Sequence, residues 1–293
     1  MCWDSERWCD MSKVRSVKSL VCGQLSDWAH SPRTIISGLV ILALTYMNAR
    51  DYQHFLERTS LYAYWGESVF YFLSTGFGNL PLTSALFLIM VSEVPKRNAF
   101  QNIMLIRSNR GRWYASQVLF CLLVTILMMV VLLSVSLGFS FPALESGEGW
   151  SDLERMASES EIEYQLVTAF ALELPVPQAC WLAAAVLFCF WFVMAFSIFV
   201  FNLFGKPQLG LLLYATLLSL KVIVLWEMLS EFDLFMPSDY ATICNIANTQ
   251  GDFEGVPTIV TVLLVYASII AGCLLIGYLK CRYMDLQFDS EKV

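Results

Sequence analysis

Apolar residues in this chain run in long continuous blocks, with no period-two alternation and no single helical stripe. A helix crosses roughly 30 Å of hydrocarbon in about 20 residues. Continuous apolar runs fit such helices and exclude a membrane barrel, whose strands alternate. Val118–Phe141 and Ala179–Phe204 contain no charged residue, and Val256–Leu279 is a third run of the same kind. Leu209–Leu229 is a fourth, interrupted by Lys221 and ending with Glu227. Thr34–Asn48 is shorter and extends through Tyr52 as a tilted or snorkelling helix. Ser68–Ser92 is long enough but contains Gly76, Gly78 and Pro81, so it predicts a kinked helix whose better half is Leu80–Val91. The predicted fold is all-α: one polytopic transmembrane domain over residues 1–293 with six spans, at about 34–52, 68–92, 118–141, 179–204, 209–229 and 256–279.

The segments between the spans have patterns of their own. In Met11–Ala29, Val14, Val17, Leu20, Val21, Leu25 and Trp28 share one helical face with Lys and Arg opposite. That pattern predicts an amphipathic interfacial helix over 11–29, lying on an anionic leaflet. Ser31-Pro32 then turns the chain into the first span. Asp51–Glu67 reads as an aromatic-rich loop at the headgroups. Pro142–Gln178 is strongly acidic, which fits a solvated outer helix or a docking patch for cations. Ser230–Gly255 mixes Phe232, Phe235 and Tyr240 with polar residues and could dip into the outer leaflet.

Glu93–Gln117 is the most informative of these segments. Between Asn98 and Ser108 a short helical pattern places Phe100, Ile103, Met104 and Arg107 on one face. Asn109-Arg110-Gly111 breaks it, and Trp113-Tyr114 marks the return to the interface. Four residues, Gly205-Lys206-Pro207-Gln208, suffice to join two other spans. A far longer connection carrying its own helix therefore has another purpose.

Composition agrees with lipid as the main solvent. Of 293 residues, 57% are hydrophobic and 15% charged, whereas a soluble domain carries about a quarter as charges. The mean hydropathy is +0.61. A net charge of −7 leaves no basic excess to neutralise phosphates, which argues against a nucleic-acid partner. Under the six-span topology one side holds 14 basic and 8 acidic residues, the other 3 basic and 17 acidic. Lys and Arg mark the cytoplasmic side, so both termini are predicted to be cytoplasmic in a multi-pass protein of the cell membrane. Residues 1–33 have no apolar core of signal-peptide type, so no cleavage is expected.

Several chemistries lack their residues. There is no G-x-x-x-x-G-K-[ST], so this chain is not expected to hydrolyse nucleotide or to act as an enzyme by itself. His30 and His54 have no ligand partner at i+4, which argues against a zinc protease, and no bound cofactor is expected. Gly66-Glu67-Ser68 lacks the following glycine and the histidine of a serine protease. The nine cysteines form no C-x-x-C, and Cys180 and Cys244 are the candidates for an outer disulfide. Lys221 is the one ionisable residue near the middle of a span. Such a residue marks a pathway or subunit interface, or it pairs with a neighbouring helix or a wet seam.

An amphipathic N-terminal helix, six spans and a helical loop between spans two and three together resemble a permease subunit of an ABC transporter. The closest type is the six-helix, type-2 exporter family. Members carry a glutamate at the cytoplasmic end of span two, then a coupling helix, then a small-polar-Arg element before span three. Glu93, the helix Asn98–Ile106 and Ser108-Asn109-Arg110 occupy those places, and Pro95 departs from the pattern by following Glu93 so closely. The resemblance implies a gating or structural role for Glu93, and contact with an ATPase by Arg97, Phe100, Ile103, Met104, Arg107 and Arg110. It also implies partners: separate ATP-binding-cassette ATPase subunits holding ATP and Mg, a second permease copy or paralogue, and membrane lipid. The implied cargo is apolar or amphipathic: a peptide, a lipid or a drug. Phe188, Phe190, Trp191, Phe192, Met194 and Phe196 suit such a cargo and equally suit helix packing. A secondary transporter or channel, and a membrane scaffold or sensor subunit, are the competing readings.

Overall fold

The structure, a computed structural model, describes residues 17–59, 63–75, 77, 80–95, 110–141, 144–145, 147, 149–151, 174–224, 241 and 258–283. Among these residues it is mostly helical. Eight helices appear in the order α1 (Val17–Ala29), α2 (Pro32–Thr59), α3 (Trp65–Ser74), α4 (Leu80–Val91), α5 (Arg110–Ser140), α6 (Val176–Leu203), α7 (Pro207–Val224) and α8 (Ile259–Tyr283). Two short strands, β1 (Ala63–Tyr64) and β2 (Leu144–Glu145), pair in parallel. Among the described residues α5, α6 and α8 are long and apolar enough to cross a membrane, and the chain is a membrane protein.

Boundaries differ from the sequence expectation in three places. First, α2 runs on to Thr59, into the segment expected to be a headgroup loop from Asp51. Exposed i,i+4 contacts sustain it there: Gln53 Nε2 donates to Glu57 Oε1 at 3.0 Å, and Arg50 meets His54 at 3.4 Å. Second, Ser68–Ser92 is two helices, not one kinked helix. Pro81 lies in the first turn of α4, where its missing N–H is not needed, so it starts a helix instead of bending one. Between them Phe77 takes a positive φ of 62°, a conformation that costs about 1–3 kcal/mol outside glycine. Third, α5 starts at Arg110, so residues 110–117 are helix where loop was expected.

The core centres on α6, which packs against α3, α4, α5, α7 and α8. Phe188, Phe192, Phe196 and Phe199 stack in sequence along it, with centroids 5.7–5.8 Å apart. Trp191 has no exposed surface; it lies between Phe77 and Phe87, and its Nε1 donates to Ser84 Oγ at 3.0 Å. Of the aromatic and Met positions weighed for cargo, Phe190, Trp191, Phe192, Met194 and Phe196 are all buried in helix packing. The helix ends in a tight turn to α7, where Gly205 adopts φ 73° and the Lys206 N–H reaches back to Phe201 O.

The outer helices are inside-out compared with those of a soluble protein. On α2 the buried face carries Thr34, Ser37, Thr45 and Tyr52, while Ile36, Leu39 and Met47 are each at least 60% exposed. Water would reverse that arrangement; lipid favours it. The face of α1 holding Leu20, Val21 and Trp28 is buried against α5, so the amphipathic stripe meets protein. Residues 11–16 lie outside the described residues.

One end of the bundle is organised around Glu67, in the first turn of α3. Its carboxylate accepts the Tyr64 N–H at 2.9 Å, closing the helix start, and also the Ser151 N–H. Gly66 is required beside it, because a Cβ there would fall 2.5 Å from Val176 Cγ1. Trp150 stands edge-on to Phe70 and donates to Leu174 O at 2.9 Å. Cys180 Sγ donates to Gly66 O at 3.3 Å, and its candidate disulfide partner Cys244 lies outside the described residues, as do residues 152–173 and most of 230–255.

Two outcomes are expected. Trp191→Ala should lower stability by about 3–5 kcal/mol, read as the denaturation midpoint of the purified protein in detergent. Burial raises the Glu67 carboxyl above its ordinary 4.5, although the Ser151 and Tyr64 N–H groups lower it in part. A carboxyl raised in this way binds its proton more tightly when folded, so stability is greatest below its unfolded value and falls as pH climbs through the folded one. Melting curves taken upward from about pH 4.5 should show that fall, and Glu67→Gln should flatten it.

Candidate functional site

Residues 96–109, which include the expected coupling helix Asn98–Ile106, lie outside the described residues. Arg97, Phe100, Ile103, Met104 and Arg107 are among them. The two points from which that segment departs are well defined, and they form the candidate site.

The first is the end of α4. Its last turn would leave bare carbonyls, and two side chains from elsewhere meet them. Trp28 Nε1, from α1, donates to Met90 O at 3.0 Å. Asn202 Nδ2, from the end of α6, donates to Ser92 O at 2.9 Å and to Val94 O at 2.6 Å. Glu93 lies between those two carbonyls and pairs with Arg33 of α2 at 2.7 Å. A cis Val94–Pro95 bond follows. Three helices thus hold this departure point: α1 by Trp28, α2 by Arg33 and α6 by Asn202.

The second is the start of α5. A cation at a helix N-terminus opposes the helix dipole, yet Arg110 stands there. Its guanidinium instead serves the opposite end of another helix: Nη1 donates to Arg282 O in the last turn of α8, at 2.7 Å. In return Cys281 Sγ donates to Arg110 O at 3.6 Å. Further along, Tyr114 OH donates to Leu274 O at 2.8 Å, and Lys280 stands 5.1 Å over the Phe204 ring. The start of α5, the end of α8 and the α6–α7 turn are therefore one connected group.

Of the residues singled out by sequence, Glu93 and Arg110 sit at these two departure points, about α4 and α5 respectively. Lys221 lies in the backbone of α7, away from both, and its side chain is outside the described residues. Asn202, Trp28 and Arg33 were not singled out. Asn202 is the only amide side chain in the run from Cys180 to Phe204, and that isolation was a usable signal. Among the described residues no three His, Cys, Asp or Glu side chains converge as a metal site would require.

The contacts differ in weight. The Arg33–Glu93 pair is largely exposed, and such pairs contribute about 0–1 kcal/mol. The Asn202 amide serves two carbonyls in a buried setting, and each lost bond there costs about 1–3 kcal/mol. Asn202→Ala should therefore lower the detergent melting midpoint clearly, while Glu93→Gln should leave it nearly unchanged.

Compared with known proteins, the chain has no matching family model, no matching curated protein and no matching solved structure, so the geometry of these two departure points carries the functional argument.

Proposed function

We propose that the chain is the membrane-spanning permease subunit of an ATP-driven ABC exporter in the cell membrane. In this reading it has six spans and both termini are cytoplasmic. It works beside a second permease and with separate ATPase subunits that hold ATP and Mg. The observation that supports the reading is that the residues flanking 96–109 are held by other helices: those before it by α1, α2 and α6, and Arg110 after it by α8. In this reading a push applied between those flanking points reaches α1, α2, α6 and α8.

The expected mechanism is a two-state rearrangement biased by nucleotide. ATPase closure presses on the 96–109 segment through Arg97, Phe100, Ile103, Met104 and Arg107. Glu93 passes that displacement to α2 and Arg110 passes it to α8, and the spans switch between inward- and outward-facing arrangements. The cargo is apolar or amphipathic and travels along helix faces that this conformation keeps packed.

The test is a Phe100→Ala, Met104→Ala double variant, purified from membranes together with its associated ATPase. Truncating anchoring side chains costs about 2 kcal/mol or more, so recovery of the ATPase should drop by roughly tenfold or more while membrane insertion is unchanged. Normal ATPase recovery with the double variant would overturn the assignment. Cargo movement by the purified chain without any ATPase would instead identify a secondary transporter or channel.

A further inference from the structure

The connected group made by the start of α5, the α6–α7 turn and the end of α8 gathers four cations: Arg110, Lys206, Lys280 and Arg282. The helices of this group, α5 to α8, contain no Asp or Glu. Among the described residues no carboxylate pairs with any of the four, whereas Arg33 of α2 has Glu93 at 2.7 Å. Contacts between the elements hold the cations in place. Arg110 Nη1 donates to Arg282 O at 2.7 Å, which uses one of the five N–H donors of its guanidinium. Lys280 Nζ lies 5.1 Å over the Phe204 ring, and Lys206 follows Phe204 in the turn that Gly205 makes at φ 73°. Like charges gathered in this way repel, and Arg110 also opposes the dipole of α5. A bound anion relieves both.

We propose that this group binds the headgroup of an anionic phospholipid, with the phosphate among the four cations and the acyl chains along α7 and α8. Charge complementarity sets the headgroup. An ethanolamine or choline headgroup would return a positive charge to a group that already carries four, whereas a headgroup of net negative charge does not. The apolar surface beside the cations sets the source. Leu209 and Leu212 on α7, and Leu275 and Leu279 on α8, are each at least 40% exposed. Acyl chains can cover those side chains, and a soluble phosphate ester gains nothing from them.

The inference rests on the chain lying in a membrane and not on the exporter reading, so its test needs no ATPase. The full chain in detergent is given phosphatidylglycerol, phosphatidylethanolamine, phosphatidylcholine or soluble glycerol 3-phosphate. Bound lipid is read by native mass spectrometry and stability by thermal melting. Phosphatidylglycerol should be retained and should raise the melting midpoint, while the other three should not. Lys206→Gln and Lys280→Gln should each weaken that retention by about fivefold, the usual effect of one cation beside an anionic headgroup. Lys206 is exposed, so Lys206→Gln should melt normally when no lipid is added. Arg50→Gln removes the same charge much further along α2 and should leave retention unchanged. Equal retention of the three lipids would mean an unselective lipid coat and would overturn the proposal. So would a phosphatidylglycerol preference that survives the Lys206→Gln, Lys280→Gln double variant, an equal loss in Arg50→Gln, or glycerol 3-phosphate binding as tightly as the lipid.

Discussion

Hydrocarbon offers no hydrogen bonds, and that constraint governs many polar side chains of the described helices. On α2, Thr34, Ser37 and Thr45 turn toward the bundle while Ile35, Ile36 and Leu39 face out. Hydroxyls that must face outward close on their own helix: Ser134 donates to Val130 O at 2.7 Å and Ser268 to Leu264 O at 2.7 Å. The same constraint explains why the break between α3 and α4 lies under Trp191. Irregular backbone is tolerated at membrane depth only where protein covers it. Phe77, at the break, is 1% exposed.

With the apolar surface given over to lipid, order along the bundle comes from its two ends. At one end a single carboxylate, Glu67, gathers the start of α3 and the segment after β2. At the other, Asn202, Trp28 and Arg110 each reach from one helix to the terminal carbonyls of another. Helix termini are where backbone groups are left unpaired, so contacts there satisfy groups that the helix itself cannot.

Much of the helical layout was legible in the sequence because apolar runs of this length have few alternatives. The long helices lie where Val118–Phe141, Ala179–Phe204 and Val256–Leu279 predict them, with ends shifted by a few residues. The misplaced boundaries share a cause. Pro81 and Arg110-Gly111 were taken as interruptions, whereas Pro81 lies in the first turn of α4 and Arg110 opens α5. Local breaker signals carry no sign that says whether a helix is ending or beginning. The candidate site was half legible. Glu93 was singled out through the resemblance alone, and its partners are set by tertiary packing. Arg33 lies 60 positions before it, and Asn202 grips its neighbours from more than 100 positions away. Gln117 was read as part of a loop because its helix starts earlier than the apolar run does.

The double grip of Asn202 on Ser92 and Val94 joins a short helix to a long one. With 12 residues, α4 rises only about 18 Å, too short to hold itself together well. The turn just beyond its last residue is held by the last turn of α6, whose middle is deeply buried. The two should therefore exchange their amide hydrogens as one cooperative unit, α4 acquiring the slow opening of its neighbour. A helix that is weak by length becomes, through one amide side chain, among the last parts of the molecule to open.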